Sequence, residues 1–259
     1  MHFPIITYHE IFDDSQANME KHAIHVNEFE RQMRYLSEND FESLSLHEMN
    51  CSDYKPHERK RKSIVISFDD GNFSDFCHAF SILKKYNYIG VFFITVDWVG
   101  KPGYVSWNNL FEMKNAGMSI QSHSMTHRFL SDLKNSDLKK ELRDSKLTRE
   151  NHLNCSVDFI SIPGGFGSKS VTEMVKLESY RGICTSVPGW NKIEASCFSV
   201  FDRYMITRKT SFDTFTKIVN GDVKLIQKLR FMYKSKAILR RFIGNKLYYR
   251  LWSIFCKEV

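Results

Sequence analysis

The sequence lacks a CxxC pair, lacks any apolar run near the roughly 18 to 20 residues that cross a bilayer, and shows no charged-then-apolar leader at its start. Each absence excludes something. Cys51, Cys77, Cys155, Cys184, Cys197 and Cys256 are scattered, so neither a disulfide framework nor a cysteine zinc site is expected, and free thiols fit a reducing compartment. The expected location is therefore cytoplasmic, at most peripheral on the inner face of a membrane. Acidic residues are scarce at one end. Residues 222–259 carry ten Lys or Arg against two acidic residues, leaving 27 basic and 28 acidic residues before them, so the net charge of +7 belongs to the tail.

At 259 residues and 42% hydrophobic, the chain is long enough for one large α/β domain with its own core. Strand-like runs at 3–8, 63–68, 90–96, 118–122, 157–162, 182–185 and 203–207 alternate with helical periodicity at 74–86, 107–115, 133–153 and 169–178. That rhythm predicts a mostly parallel sheet covered by helices, open or closed into a barrel. In both forms catalytic groups collect beyond the C-terminal ends of the strands.

Two segments on that rim supply chemistry: Ser67-Phe68-Asp69-Asp70-Gly71 and His123-Ser124-Met125-Thr126-His127. Neighbouring carboxylates after the apolar run Ile64-Val65-Ile66 can divide the work, one binding a cation while the other stays free as a base. The two imidazoles complete a three-ligand set, which leaves a coordination position open as catalytic zinc sites do. Singly, each signal has a plainer reading. Asp-Asp-Gly is a common tight turn, and histidines four apart share a helical face by chance. Together, with Pro163-Gly164-Gly165 after a third strand, they predict a hydrolytic metal site.

Ser-Phe-Asp-Asp-Gly followed some fifty residues later by His-Ser-x-x-His resembles the polysaccharide deacetylases, the NodB-homology group in carbohydrate esterase family four. Ile6-Thr7-Tyr8-His9, Phe29 to Tyr35, Phe41 to Leu46 and Gly90-Val91-Phe92-Phe93-Ile94 resemble the family's order of segments. The resemblance covers roughly residues 4–220. It implies a distorted (β/α) barrel in residues 1–221, followed by a basic helical extension in 222–259. It also implies removal of an acetyl group from an N-acetylated sugar of a polysaccharide, oligosaccharide or lipid-linked glycan. Carried over residue by residue, Asp70, His123 and His127 would hold a divalent metal, zinc first, and Asp69 would be the general base. Gly164 would offer a backbone N–H to the oxyanion. Pro163, Gly165, Trp190 and Arg203 would line the substrate pocket.

Two departures stand out. The family's third motif usually carries an arginine that orients the base, whereas this chain reads Ile160-Ser161-Ile162-Pro163. Relatives also place a general-acid histidine late in the chain, and the last histidine here is His152. His9, at the end of the first strand on the same rim, is the candidate acid or substrate contact. Arg203 is a second candidate, as an anchor for a carboxylate or oxyanion. The alternatives to N-deacetylation are an O-acetyl esterase and a carbohydrate-binding member of the fold with impaired turnover. The remaining histidines, His22 included, belong to no constellation.

In the tail, apolar residues from Leu225 to Phe255 recur at helical spacing among the basic ones, with Gly244 dividing two helices. Such a helix either lies on an anionic membrane surface or packs its apolar face on the barrel. No recognised nucleic-acid-binding fold is present, so nucleic acid is not an expected partner.

Overall fold

The computed structural model describes residues 2–14, 22–49, 61–165, 167–192 and 197–243. Cys51, Cys256 and the tail from Gly244 onward lie outside these. The chain opens with β1 (His2–Tyr8), β2 (Ile11–Phe12), β3 (Ile24–His25), α1 (Val26–Glu38), β4 (Phe41–Ser43), α2 (Leu46–Met49) and β5 (Lys62–Phe68). A π-helical turn, Asp75–Phe80, runs into α3 (Ser81–Lys85), followed by β6 (Gly90–Ile94), α4 (Trp107–Asn115), β7 (Ser119–Ser122) and α5 (Asn135–Leu153). Next come β8 (Phe159–Ser161), α6 (Lys169–Leu177), β9 (Gly182–Cys184), β10 (Trp190–Lys192), β11 (Ser199–Phe201), β12 (Tyr204–Met205), α7 (Phe212–Val219) and α8 (Val223–Ile243).

Strands β1, β5, β6, β7, β8, β9 and β11 pair in that spatial order, all parallel, and β10 adds antiparallel to the start of β1. Closure comes from one short segment. Its first half, β11, pairs with β9, and its second half, β12, pairs with β1 through Ile6 and Thr7. Residues 199–205 thus reach from one edge of the sheet to the other and bring it close to a closed barrel. The expected distorted (β/α) barrel is what forms.

Strand alternation then writes the site. Side chains at every second position face the barrel interior. At the lower end these are Phe3, Ile5, Val65, Val91, Phe93 and Phe159, which pack into one apolar cluster with Cys184 and Phe201. Continuing the same phase toward the C-terminal ends gives Thr7 and His9, Ser67 and Asp69, Thr95, His123, and Ser161. The interior therefore turns from hydrocarbon to chemistry within one strand length. The opposite phase, Ile6, Tyr8, Ile64, Ile66, Phe68 and Phe92, packs outward against α1, the π-helical turn and α3. There Phe68 stacks on Phe92 at 4.6 Å between ring centroids.

Cys77, Cys155, Cys184 and Cys197 are free thiols. No helix among the described residues is long and apolar enough to cross a membrane.

Candidate active site

Asp69 and Asp70 leave β5 in opposite senses. Asp69 keeps the inward phase and is buried, whereas Asp70 has φ of +80° and turns toward the histidine loop, with Gly71 at +85° completing the bend. A Cβ at Gly71 would meet Ile94 Cδ1 at 3.1 Å, so glycine serves both the backbone angle and the space. Ser124 and His127 also have positive φ, at 66° and 61°. Left-handed non-glycine residues are strained and persist where surrounding contacts over-determine them.

Those contacts come from α5. The Glu141 carboxylate accepts the Thr126 N–H at 2.5 Å and its hydroxyl at 2.9 Å. Arg149, fully buried, donates to the Ser124 carbonyl at 3.1 Å, to the Ser145 carbonyl at 2.6 Å, and to the Ile94 carbonyl. Burial pulls its pKa down to about 10, so it remains charged at neutral pH. Trp98 stacks on the His127 ring at 4.7 Å and fixes its plane.

The result is a compact donor set. Asp70 Oδ1 lies 3.2 Å from His123 Nε2 and 3.3 Å from His127 Nε2, and the three donor atoms lie within 4.8 Å of one another. Ligands around a tetrahedral zinc sit about 3.4 Å apart given bonds of roughly 2.1 Å. The donor chemistry fits as well. His123 Nδ1 donates to the Ser161 carbonyl at 2.8 Å, which leaves the Nε2 lone pair facing the site. Asp70 Oδ1 is buried without a hydrogen-bond partner. Burial opposes ionisation of Asp70, but the adjacent His123 and His127 imidazoles, with His9 nearby, override it and hold the carboxyl well below its usual range.

Asp69 is held by other means. Arg203, at zero exposure, donates through Nη1 to Asp69 Oδ1 at 2.8 Å and through Nη2 to Oδ2 at 2.7 Å, a two-pronged clamp. The Ser161 hydroxyl donates to Asp69 Oδ2 at 2.9 Å and accepts from Arg203 Nη2 at 2.7 Å. Burial alone would raise the Asp69 pKa; the Arg203 charge, with help from His123 and His9, brings it to about 2. The third-motif arginine is indeed absent, but the orienting guanidinium is not. It arrives from Arg203, at the jog between β11 and β12, and the serine standing at the third motif joins the same network. Arg203 lies beneath Asp69 and takes no part in the cavity wall, where the sequence reading had grouped it.

A cavity of about 500 Å³ opens over this set. Asp69, Asp70, His123, His127, His9, Gly164 and Gly165 all line it. The Gly165 N–H is committed to the Ile162 carbonyl at 2.7 Å, which leaves Gly164 as the candidate oxyanion donor of the turn. A Cβ at Gly165 would stand 2.1 Å from Ser186 Oγ, so only glycine lets the two loops meet. His9 Nδ1 is buried without a partner, and burial lowers its pKa against the pull of Asp70 and Asp69.

Three further sequence assignments change place. Pro163 is buried behind the turn and does not line the cavity. Trp190 sits on β10, pairs with Pro4, donates its indole N–H to the Ile218 carbonyl at 3.1 Å and packs on Gly221. It seals the barrel edge against α7, and Ile218, Met205 and Pro188 supply the apolar wall. His22, read as an unattached histidine, lines the cavity with its ring 5.3 Å from that of His9.

The tail contributes too. Leu229, Met232, Tyr233 and Lys236 of α8 line the cavity. Arg230 pairs with Asp202 at 2.9 Å, the Tyr233 hydroxyl meets the Gly165 carbonyl at 3.3 Å, and Arg240 lies over the Phe129 ring at 5.3 Å. As far as Arg240, the basic helix packs on the barrel and lines the cavity over the site.

Residues 57–183 match the family model described as polysaccharide deacetylase. Over 189 residues, 72% of the chain, the sequence is 29% identical to YxkH of Bacillus subtilis (strain 168), a protein assigned to the polysaccharide deacetylases. Over 156 residues, 58% of the chain, it is 28% identical to the poly-beta-1,6-N-acetyl-D-glucosamine N-deacetylase of Staphylococcus aureus. The alignments span 65% and 52% of those relatives. Among solved structures, the Streptococcus pyogenes deacetylase PplD in complex with acetate has the same fold. Its TM-score is 0.75 at 22% identity, covering 85% of this chain and 98% of that one.

Proposed function

The chain belongs to the polysaccharide deacetylase family, and from that premise we propose that it is a metal-dependent hydrolase removing the acetyl group from an N-acetylated sugar of a polysaccharide, oligosaccharide or lipid-linked glycan. One observation carries this reading. A three-ligand donor set and a separately clamped carboxylate face the same cavity.

Asp70, His123 and His127 would hold the ion, zinc by the fit of donor types and spacing. A divalent ion there supplies Lewis acidity toward the acetyl carbonyl and toward water. The chain's own groups do the rest. Asp69, ionised throughout the neutral range, takes a proton from the attacking water, and Arg203 with Ser161 keeps its lone pair aimed. As the water oxygen bonds to the carbonyl carbon, Gly164 N–H stabilises the oxygen that gains charge. The proton taken by Asp69 is the one the departing sugar nitrogen needs as the C–N bond breaks, and His9, buried on the same cavity with Nδ1 unpartnered, relays it, so that both residues end in the states in which they began. Acetate and a free amine are the products.

The clamp also weighs against a binding-only member, because carbohydrate binding requires no buried, oriented base. The test is acetate release from N-acetylglucosamine oligomers, with chelated, zinc-reloaded and untreated protein, beside an O-acetylated xylan control. Zinc-dependent acetate accompanied by free amine supports the reading. Release from the O-acetylated substrate alone makes the protein an esterase. Metal uptake without any release makes it a binding protein.

A further inference from the structure

Helix α8 presents two different faces. Leu225, Ile226, Leu229 and Tyr233 turn toward the barrel and Arg240 is buried, a stripe at helical spacing. The opposite stripe has Phe231 at 72% exposure and Ile238, one heptad on, at 59%, with Val223 exposed at the helix start. Lys224, Lys228 and Lys234, all exposed, flank these apolar side chains. The helix holds seven Lys or Arg and no acidic residue.

We propose that this outer face of α8 is a docking surface for an anionic lipid bilayer. Charge complementarity selects the occupant. Two copies of an all-basic helix face repel, which disfavours self-association through it. A stable protein interface buries roughly 800 Å² on each side with matched shape, whereas separated Phe and Ile side chains between lysines offer projections without a groove. A bilayer asks for that pattern: apolar side chains enter the acyl boundary while lysines meet phosphate headgroups. Because the inner face of α8 covers the barrel mouth, docking sets the cavity beside the headgroup layer.

The full chain is expected to sediment with vesicles of phosphatidylglycerol and phosphatidylcholine at low salt, and to be released by added salt. The triple variant Lys224→Glu, Lys228→Glu, Lys234→Glu is expected to lose about 100-fold in partitioning, near fivefold per lysine. Phe231→Ser with Ile238→Ser should reduce binding several-fold without changing the salt dependence. These positions lie outside the cavity, so acetate release from a soluble oligomer should stay at the wild-type level and report intact folding. Absence of binding to anionic vesicles, equal binding by the triple variant, or a dimer that dissociates in the Phe231 and Ile238 variant would each overturn the proposal.

Discussion

The proposed metal ligands and the proposed base of this site are built into the fold differently. Asp70, His123 and His127 come from two short segments at the ends of β5 and β7. The surroundings of Asp69 come from three distant places: β5, Ser161 at the end of β8, and Arg203 in the segment that closes the barrel. The first arrangement is fixed by local backbone and bracing from α5; the second exists only once β12 has docked on β1. Closure of the barrel and orientation of the Asp69 carboxylate are thus one event, with Arg203 as the joint.

The contrast can be broken from either side. The largest effect belongs to His123→Ala, expected to lose zinc from the purified protein and acetate release to below detection, checked by metal analysis and a coupled acetate assay. Next is Arg203→Ala. It strands the buried Asp69 carboxylate, and breaking a buried pair this way costs about 3 to 5 kcal/mol. Denaturant unfolding should show that loss, while any folded fraction still binds zinc. Arg203→Lys keeps the charge without the fork, so it should retain more stability than alanine yet stay well below wild type in turnover. Ser161→Ala is milder. It removes one hydroxyl from a clamp whose guanidinium remains, worth about 1 kcal/mol and a severalfold fall in turnover.

The smallest effect concerns pH. Burial would lower the His123 pKa, but Asp69 and Asp70 override it and raise it above the ordinary 6.5. A raised histidine stabilises the fold fully below pH 6.5 and loses that contribution as pH rises through its folded value. Metal binding requires the neutral imidazole, so zinc affinity runs the other way. Thermal melts of metal-free protein should therefore decline from pH 6 upward while the increment from added zinc grows. Parallel trends would remove His123 from the ligand set. Asp69, held at about 2, adds its stability above the ordinary carboxylate value of about 4 and loses it only as pH falls toward 2, outside this window.

Legibility in the sequence follows the same division. The strand bearing Asp69 carries the apolar, β-branched run Ile64-Val65-Ile66 before its motif, so pattern and motif reinforce each other, whereas the strand before the histidines, Ser119–Ser122, is mostly polar and is marked chiefly by the motif that follows it. α4 was readable to its ends from its apolar spacing. β10 and β11 have three residues each, too few for a period to register; of the closing segment only the second half, β12, falls within a strand-like run of the sequence, 203–207. Arg203 was legible as a candidate carboxylate anchor but not as the partner of Asp69, because that partner lies 134 positions away. Trp190 shows the converse error. A loop tryptophan suggested a pocket wall, whereas strand pairing with β1 turned it toward α7. The bracing by Glu141 and Arg149 left no local mark beyond two charged residues on the buried side of an otherwise polar helix.

The most direct test compares zinc content and acetate release for wild type and Asp69→Asn on N-acetylglucosamine oligomers. The account predicts equal zinc in both proteins and turnover lower by about 100- to 10,000-fold in the variant, the range a positioned general base contributes. Wild-type turnover in Asp69→Asn would contradict it, because the clamp of Arg203 and Ser161 would then be holding a residue that the reaction does not use.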